Sequence, residues 1–547
     1  MAEAAASSRT PKPEPTLELV LKRNSVERLK REKSPLGIID ELPALIAAGY
    51  EQVAEEDIVR LKWWGLYHDK PKIGTFMLRV KTPTGRISPA QLRAIGEISN
   101  VHGRGSGELS TRQNVQLHYI RLDALPDVFA RLHAAGLTSA GACGDTVRNI
   151  TGCPVGGVAH DELFDVSDVV AEAAARFYGN PAYSDLPRKH KIAIMACPDA
   201  CAAPEINCVG LVGALRDGEE GFGVLVGGGL SSVPRIARDL GVWVPKAEAV
   251  DVLAAILDAW QEDLRYRVSR VKARLKFMVD DLGPEGMRER VEAKLGRRLD
   301  DFRLPELPRP GNHIGVHPQQ DGKVYVGVPV RLGLISGDQM VEVAELAGRI
   351  GGDIRLTRQQ NFVLTGVAES DLDVVLDTLR HLGLPVDAGP LHADALACTG
   401  EPHCNFSVTE TKGRLDGLVT LLESRFGDEL AGLQLHLDGC PHACAQHWVG
   451  ELGFQGTTVR DEQGERHQAY DVFLRGSLDR PAAIGRPLFR RVPTAELDDA
   501  VVGLVQGWID GRHAGETFRS FCDRSTDDEL GGYAGREPAR GREVAEA

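Results

Sequence analysis

Four cysteines in the second half of the chain have the spacing of a single metal site. Cys398 and Cys404 have five residues between them, and Cys440 and Cys444 have three. Structural zinc sites favour pairs about two to four residues apart, so the first pair fits zinc poorly. Both pairs fit an iron–sulfur cluster, which four thiolates hold from loops. Simple burial is a poor alternative for Cys440 and Cys444, because the proline and histidine between them are poor core residues. The set predicts a redox protein.

The composition excludes several classes of protein. With 42% hydrophobic and 26% charged residues, the 547-residue chain resembles ordinary globular proteins. Its net charge of −14 argues against nucleic acid as a general partner. No apolar run approaches the roughly 20 residues of a membrane span, so we expect no membrane association. Ten cysteines are too few for a disulfide scaffold, which indicates a reducing cytoplasm.

The chain contains an internal duplication with a period of about 245 residues. Residues 76–120 and 324–367 share one pattern, in which a strand, a turn and an amphipathic helix precede a second strand. The triplet Thr111-Arg112-Gln113 recurs as Thr357-Arg358-Gln359, and an Ile-Ser pair opens both helices. A repeat of this length predicts two related halves with pseudo-twofold symmetry rather than a solenoid.

A second repeated block contains the cysteines. In each copy a strand leads into Cys-Pro-x-x-Cys, which ends at Cys201 in the first copy and at Cys444 in the second. The first copy also has Cys153, but the position six residues later is Ala159. Only the second copy therefore has four thiols, and we interpret the chain as a duplicated fold with one surviving metal site.

The periodicity of apolar residues predicts an α+β protein. The expected helices cover residues 18–32, 89–101, 166–178, 247–262, 284–296, 337–349, 370–382, 413–425 and 494–511. The proline-rich stretch at 304–313 separates the two copies and is expected to be a linker. The first fifteen residues lack the features of a secretory or transit signal, and we expect a disordered leader there.

The cysteine set and the duplicated Thr-Arg-Gln strands together resemble the sirohaem- and [4Fe-4S]-dependent sulfite and nitrite reductases of the ferredoxin-dependent type. The resemblance covers roughly residues 60–530. It implies a pseudo-twofold, three-domain architecture with two ferredoxin-like half-domains and two sirohaem/cluster-type domains. The implied segments are a leader at 1–15, a helical segment at 16–68, the first half-domain at 69–135, the first sirohaem/anion-binding domain at 140–303, the linker at 304–313, the second half-domain at 314–388, the [4Fe-4S]/sirohaem domain at 390–528 and a frayed tail at 529–547.

The resemblance implies two cofactors, a [4Fe-4S] cluster and sirohaem. In this family the four cysteines hold the cluster, and the last of them, Cys444 here, also bridges to the sirohaem iron. A shared thiolate couples a one-electron store to the catalytic metal, so a multi-electron reduction can proceed without release of partly reduced intermediates. Coordination also keeps the thiols deprotonated.

Four basic residues match the anion pocket of the family, namely Arg79, Arg148, Lys189 and Lys191. Each of them alone would more often be a solvated surface charge. Together they are expected to neutralise the oxygens of a small anion and to organise proton donation. The alternation of Lys189 and Lys191 at the start of a strand places both side chains on one face.

Sirohaem is rich in carboxylates, so its binding site must be cationic. By resemblance, Arg112, Gln116 and His118 line it. The basic run at 267–277 is expected either to contribute, with Arg274 and Lys276, or to be the solvated face of a helix. In the second copy, the resemblance assigns Arg358 and Asn361 to the cluster side.

Tyr67 and Cys143 match two positions that approach the distal face of the haem in this family. Some relatives carry a covalent Tyr–Cys link there. The residue types permit such a link between Tyr67 and Cys143, although packing in a core would also account for them.

The electron donor is expected to be a separate protein. Gly227–Gly229 follows a strand but lacks the G-x-G-x-x-G spacing of a dinucleotide site. The resemblance indicates ferredoxin as the donor, docked on a local basic patch, and a monomeric enzyme. Lys-x-Lys at 189–191 is associated with sulfite reduction in this family, whereas many nitrite reductases carry Lys-x-Asn. We therefore favour sulfite over nitrite; a non-catalytic metal-binding or electron-relay protein is the remote alternative.

Overall fold

A computed structural model describes residues 14–307, 311–479 and 481–539. The predicted leader, apart from its last two residues, and residues 308–310 of the predicted linker lie outside the described residues. Four five-stranded sheets and their helices pack around three large hydrophobic cores. The chain is therefore an α+β protein, as predicted. Among the described helices, none combines the length and the apolar character needed to cross a membrane.

The N-terminal segment is helical, but it does not begin with the single long helix predicted at 18–32. Asn24 has extended backbone angles, with φ −121° and ψ 99°, and its side chain accepts hydrogen bonds from the first turn of the next helix. An asparagine is a favourable N-cap, so the chain breaks and restarts there. The helices are α1 Leu17–Arg23, α2 Ser25–Glu32, α3 Ile38–Ala48 and α4 Glu55–Leu61.

The first copy begins with a small half-domain in which two helices cover one face of a sheet. Its elements are β1 Leu66–His68, β2 Thr75–Val80, β3 Arg86–Ile87, α5 Pro89–His102, β4 Ser106–Leu109, β5 Val115–Arg121 and α6 Leu125–Ala134. The apolar face of α5, with Leu92, Ile95 and Ile98, is fully or almost fully buried. That face accounts for the helix predicted at 89–101.

A larger domain follows in the first copy. Its elements are α7 Ser167–Phe177, β6 Ile192–Met195, β7 Val209–Arg216, β8 Glu219–Val226, β9 Arg238–Pro245, α8 Ala249–Gln261, α9 Leu275–Leu295 and β10 Asp300–Asp301. The helix predicted at 284–296 follows a break at Gly283, where φ is 71° and the backbone is not helical, so α9 consists of two helical segments. Glycine tolerates this backbone conformation, and Pro284 begins the second segment.

The second copy repeats both parts. Its half-domain contains β11 Gly315–Pro318, β12 Val324–Val328, β13 Leu334–Ser336, α10 Gly337–Ile350, β14 Ile354–Leu356, β15 Phe362–Val367 and α11 Leu372–His381. Its larger domain contains β16 Ala395–Ala397, α12 Lys412–Phe426, β17 Leu435–Asp438, β18 Leu452–Arg460, β19 Arg466–Leu474, β20 Arg486–Pro493, α13 Thr494–Gly511, α14 Phe518–Arg524 and α15 Asp527–Tyr533.

The tail was expected to fray from residue 529, and this expectation is wrong for its first residues. They belong to α15, in which Leu530 is fully buried and joins the core of the last domain. A capping box at Thr526 and Glu529 begins the helix. Residues 540–547 lie outside the described part of the chain.

The two half-domains exchange strands and share one core. The short strand β3 of the first pairs with β14 of the second, and β13 of the second pairs with β4 of the first. Matching capping boxes begin α5 at Ser88 and α10 at Ser336, which agrees with the repeated Ile-Ser pair in the sequence. The exchange fixes the two copies relative to each other, because each sheet is completed by the opposite copy.

The identical Thr-Arg-Gln triplets are not structural equivalents. The turn from Ser110 to Asn114 closes with the same backbone hydrogen bond as the turn from Thr357 to Asn361. This register pairs Gln113 with Gln360, and both residues have a positive φ, 53° and 62°. Thr111-Arg112-Gln113 is therefore offset by one residue from Thr357-Arg358-Gln359, because the turn, and not the identity of the letters, determines the alignment.

Candidate active site

The four cysteines of the second copy lie on loops at the carboxyl ends of neighbouring parallel strands. Cys398 follows β16, and Cys440 and Cys444 follow β17, its parallel neighbour. The backbone N–H of Gly439 donates to the sulfur of Cys398 at 3.3 Å. Asp438, at the end of β17, accepts hydrogen bonds from two backbone N–H groups just beyond Cys444 and so shapes this loop.

These thiols form one electrostatic cluster. Burial, together with the Asp438 carboxylate and the other thiols, raises the pKa of Cys398 and Cys444, and burial raises that of Cys440 to about 12. A positively charged cluster would relieve this penalty by taking the sulfurs as thiolates. Sulfurs around one zinc ion lie at most about 4.6 Å apart. No three of these four sulfurs, all in described residues, lie within 4.8 Å of one another, so the set is wider than the ligands of a single zinc ion.

Cys444 faces a cavity between the two copies. The side chain of Cys444 is exposed because it lines this cavity. The dense protein around the cavity nevertheless raises the pKa of the Cys444 thiol. Thr111 donates a hydrogen bond to the carbonyl of Cys444 at 2.7 Å, so the first half-domain holds the cysteine loop of the opposite copy. The residues that line the cavity include Thr111, Arg112, Thr151, Lys191, Asn207, Leu230, Arg358, Cys444 and Gln446.

The structure brings Arg79, Lys189 and Lys191 near Cys444 and places Arg148 next to Lys189. A parallel bridge between Val147 and His190 places Arg148 beside Lys189 and Lys191. His190 is fully buried whereas both lysines are half-buried, so the lysines share the opposite face of the strand. Arg79, Lys189 and Lys191 all interact electrostatically with the thiol of Cys444.

The lysines are strongly destabilised as cations. Burial and the neighbouring Arg274 and Arg148 lower the pKa of Lys189 to about 7. Burial, with Arg112 and Arg274 nearby, lowers the pKa of Lys191 well below its usual value. A site that forces several cations together in this way has the chemistry to receive an anion, which would restore their charge.

The pocket also has the features that a polycarboxylate cofactor requires. Among the described residues, the Nε atoms of Arg112, Arg148 and Arg274 are buried without a hydrogen-bond partner. Burial lowers the pKa of Arg112 to about 10. Buried guanidinium groups with unpaired N–H are costly unless an anion completes them. These residues therefore fit the carboxylates of sirohaem.

Other predicted cofactor contacts have protein partners. Lys276 donates to the backbone carbonyls of Leu230 and Val233, and so supports the loop beneath Arg274. Arg358 lines the cavity and donates to Gln446 at 2.7 Å. Asn361 donates to the backbone carbonyl of Ala393 and accepts from the N–H of Val330, which supports the second half-domain.

Gln116 and His118 lie on β5, on the side toward Cys398. Gln116 accepts from Arg79 at 3.0 Å and donates to Thr399, the residue after Cys398. His118 is buried between the carboxylates of Asp69 and Glu108, at 3.0 and 3.6 Å. Burial alone would lower its pKa, but these carboxylates raise it to about 9. Its contacts are those of an internal ion pair.

Tyr67 and Cys143 are in the same part of the site. The guanidinium of Arg79 lies 3.4 Å from the sulfur of Cys143 and 5.9 Å from the ring centre of Tyr67. Burial raises the pKa of Tyr67, and the Cys143 thiol raises it further. Sharing Arg79 makes the two side chains neighbours, as a covalent link between them would require.

Sequence reasoning missed the residues that position these groups. Asn207 accepts from Arg112 at 2.8 Å, and the backbone carbonyl of Asn149 accepts from the same guanidinium. Lys412 interacts with the Glu108 carboxylate and donates to the carbonyl of Leu332. Of these residues, only Asn149 could have been found from the sequence, because it directly follows the predicted anion-pocket residue Arg148.

Comparisons with known proteins agree on one family. A model described as the nitrite and sulphite reductase 4Fe-4S domain matches residues 143–299. One described as the nitrite/sulfite reductase ferredoxin-like half domain matches 68–135 and 317–382. The first range contains Cys153, Cys197 and Cys201, whereas Cys398 to Cys444 lie beyond it.

Some relatives are named sulfite reductases and others nitrite reductases. The chain is 35% identical to "Sulfite reductase [ferredoxin] 2" of Mycolicibacterium paratuberculosis, over 93% of this chain and 96% of the relative. It is also 35% identical to "Ferredoxin--nitrite reductase" of Leptolyngbya laminosa, over 88% and 96%. The solved structure of Mycobacterium tuberculosis NirA protein superposes with a TM-score of 0.89 at 34% identity, covering 93% of this chain and 97% of that one.

Proposed function

The chain belongs to the nitrite and sulphite reductase family, and from this premise we propose that it reduces sulfite to sulfide with electrons from ferredoxin. As a member of the family it is an oxidoreductase with a [4Fe-4S] cluster coupled to sirohaem. Reduction of nitrite to ammonia, by the same six-electron chemistry, is the second candidate, because a relative of equal identity is named a nitrite reductase. The observation that carries the proposal is the convergence of Arg79, Lys189 and Lys191 on the thiol of Cys444.

Cys398, Cys404, Cys440 and Cys444 are the residues that we propose to hold the cluster, with Cys444 also contacting the sirohaem iron. When bound, the two cofactors would supply the electrons for reduction of an anion held by the basic residues of the cavity. Arg112 and Arg274, whose Nε atoms lack a partner among the described residues, would bind sirohaem carboxylates. Gln116 orients Arg79 through two hydrogen bonds.

The basic residues have distinct chemical roles in this proposal. Arg79 and Arg148 supply fixed positive charge to the anion oxygens, since guanidinium groups hold oxyanions in a defined geometry. Lys189, with a pKa of about 7, can hold a proton near neutral pH and donate it to an oxygen that leaves as water. Lys191 adds a second ammonium, which favours sulfite because sulfite carries more oxygens and more charge than nitrite.

A non-catalytic metal-binding or electron-relay protein is disfavoured, because it would give the four converging cations no role. Ferredoxin as the donor is supported by the names of the relatives. We also propose that the protein is a monomer and that it works in a reducing cytoplasm; the ten described cysteines, none of which forms a disulfide, support the second of these proposals. The segment boundaries given from the sequence remain our proposal for the domain limits.

Steady-state turnover tests the proposed substrate. With reduced ferredoxin or a viologen dye as donor, kcat/KM is expected to be higher for sulfite than for nitrite. Lys191→Asn should shift the ratio toward nitrite by about tenfold, the value of one charge-assisted contact. Lys191→Arg, which keeps the charge, is the matched control. A wild-type preference for nitrite would overturn the sulfite assignment, and an unchanged ratio in Lys191→Asn would remove this lysine from the choice.

A further inference from the structure

Three cysteines of the first copy converge in the interior, next to the cavity described above but not among the residues that line it. The sulfurs of Cys153, Cys197 and Cys201 all lie within 4.8 Å of one another, and those of Cys197 and Cys201 are 3.5 Å apart. All three residues are buried, and their sulfurs are free thiols. Apolar residues such as Val155, Ala159 and Met195 surround them.

This triad is the structural counterpart of three of the four cluster cysteines. Cys197 and Cys201 follow β6, just as Cys440 and Cys444 follow β17. A parallel bridge joins Thr151 to Ala193 in the first copy, as β16 pairs with β17 in the second. Ala193 lies four residues before Cys197, and its equivalent in β17, His436, lies four residues before Cys440. The register therefore matches Cys153 with Cys398, and Ala159 takes the place of Cys404.

The spacing of the triad suits a single ion and not a cluster. Zinc–sulfur bonds are about 2.3 Å long, so tetrahedral sulfur ligands lie about 3.8 Å apart. The triad meets this spacing, whereas the wider set of the second copy does not. With Ala159 in place of a fourth cysteine, the first copy also lacks the fourth thiolate of a [4Fe-4S] site.

A histidine stands beside the triad with one nitrogen unused. His313 is 8% exposed, and its buried Nε2 has no hydrogen-bond partner among the described residues. Its ring lies close enough to Cys197 for the two side chains to interact electrostatically. Its other nitrogen, Nδ1, lies 3.4 Å from the hydroxyl of Tyr325. A metal-binding histidine typically has its second nitrogen held by such a partner.

We propose that Cys153, Cys197 and Cys201 bind one zinc ion in the first copy. Three thiolates supply three of the four ligands of a tetrahedral zinc site. Soft sulfur ligands select zinc over the hard cations. The nitrogens of His313 do not lie within 4.8 Å of all three sulfurs, so this histidine would complete the site only after its side chain moves toward them. The proposal does not depend on the proposed function.

Zinc K-edge X-ray absorption of the anaerobically purified holoenzyme tests this site, because the method ignores the iron cofactors. We expect about one zinc per chain and a shell dominated by sulfur at about 2.3 Å. Cys197→Ser should lose the zinc and keep its acid-labile sulfide, whereas Cys522→Ser, a buried cysteine in α14, should keep both. His313→Ala should retain the three sulfurs and bind zinc more weakly against a chelator.

Three results would overturn the proposal. The first is a wild-type enzyme that stays free of zinc after anaerobic incubation with Zn²⁺. The second is an absorption shell made of oxygen and nitrogen. The third is a Cys197–Cys201 disulfide in peptides from the anaerobic protein. The wild-type measurements decide the matter even if a variant fails to fold.

Discussion

At the scale of single residues, the cysteines of the first copy provide a control for the proposed cluster ligands of the second copy. Cys440 and Cys197 occupy equivalent positions after β17 and β6, but only Cys440 belongs to a set of four. We expect Cys440→Ser to lose most of its acid-labile sulfide, because a cluster needs four thiolates. Cys197→Ser should retain it. Loss of sulfide from Cys197→Ser with retention in Cys440→Ser would move the cluster to the first copy.

His118 predicts how stability depends on pH. Its pKa is about 9 in the folded protein against about 6.5 when unfolded, since Asp69 and Glu108 stabilise the cation. A raised pKa adds stability that is complete below about pH 6.5 and is lost as the pH rises through about 9. The contribution is at most about 3 kcal/mol.

His118→Gln should therefore lower the thermal unfolding midpoint more at pH 6 than at pH 9. The exposed His160→Gln is the control and should leave the midpoint nearly unchanged at both values. An equal loss at pH 6 and pH 9 would mean that His118 is neutral in the folded protein. Calorimetry of the holoenzyme at pH 6 and pH 9 measures the unfolding midpoints of both variants.

At the scale of elements, Gln113 and Gln360 hold the exchanged strands together. Gln113 donates to the carbonyls of Gly152 and Leu356, and Gln360 to those of Leu109 and Ala397. Replacing either glutamine by alanine leaves two buried carbonyls unpaired, at a cost of about 2–4 kcal/mol. Gln359, which makes one such bond to Gly311, is the matched control.

Denaturant unfolding should show the largest loss for Gln113→Ala, whose side chain also accepts from the N–H of Gly152, an intermediate loss for Gln360→Ala, and a smaller one for Gln359→Ala. This ranking follows the register of the structure, in which Gln113 and Gln360 are equivalent. If Gln359→Ala instead matched Gln113→Ala, the alignment of the identical triplets would be the correct one.

The same elements mark what sequence could and could not predict. The capping boxes at Ser88 and Ser336 are local, so the repeated helices followed from the letters alone. The one-residue offset of the triplets is set by the turns that end at Asn114 and Asn361, whose backbone hydrogen bonds the identical letters do not show. The break at Asn24 depends on the extended backbone of one capping residue, which the periodicity of apolar residues does not reveal.

At the scale of the whole molecule, the cavity exists only because the copies face each other. Thr111 of the first copy bonds the carbonyl of Cys444, and Arg358 of the second bonds that of Cys201. The sequence identified the cysteines and the basic residues one by one. Their convergence at a boundary between copies followed from the family resemblance, since composition and periodicity do not specify how two halves dock.

At the scale of the whole molecule, the docking of ferredoxin can be tested by varying the salt concentration, because docking depends on the charges of both proteins. Both proteins are acidic overall, since this chain has a net charge of −14. Repulsion between net charges would make association faster as salt rises, whereas attraction to a local basic patch would make it slower. We propose the second case, and expect kcat/KM for ferredoxin to fall about tenfold between low salt and about 0.3 M.

Turnover with saturating viologen is the control, because it needs no protein docking and reports only salt effects at the anion site. After correction by that control, the dependence of kcat/KM for ferredoxin on salt concentration reports the docking step alone. A rate that rises with salt would show that the net charges govern the encounter, and the basic patch would then have to be abandoned. A rate that falls would justify a search for the patch by charge-reversal variants around the mouth of the cavity.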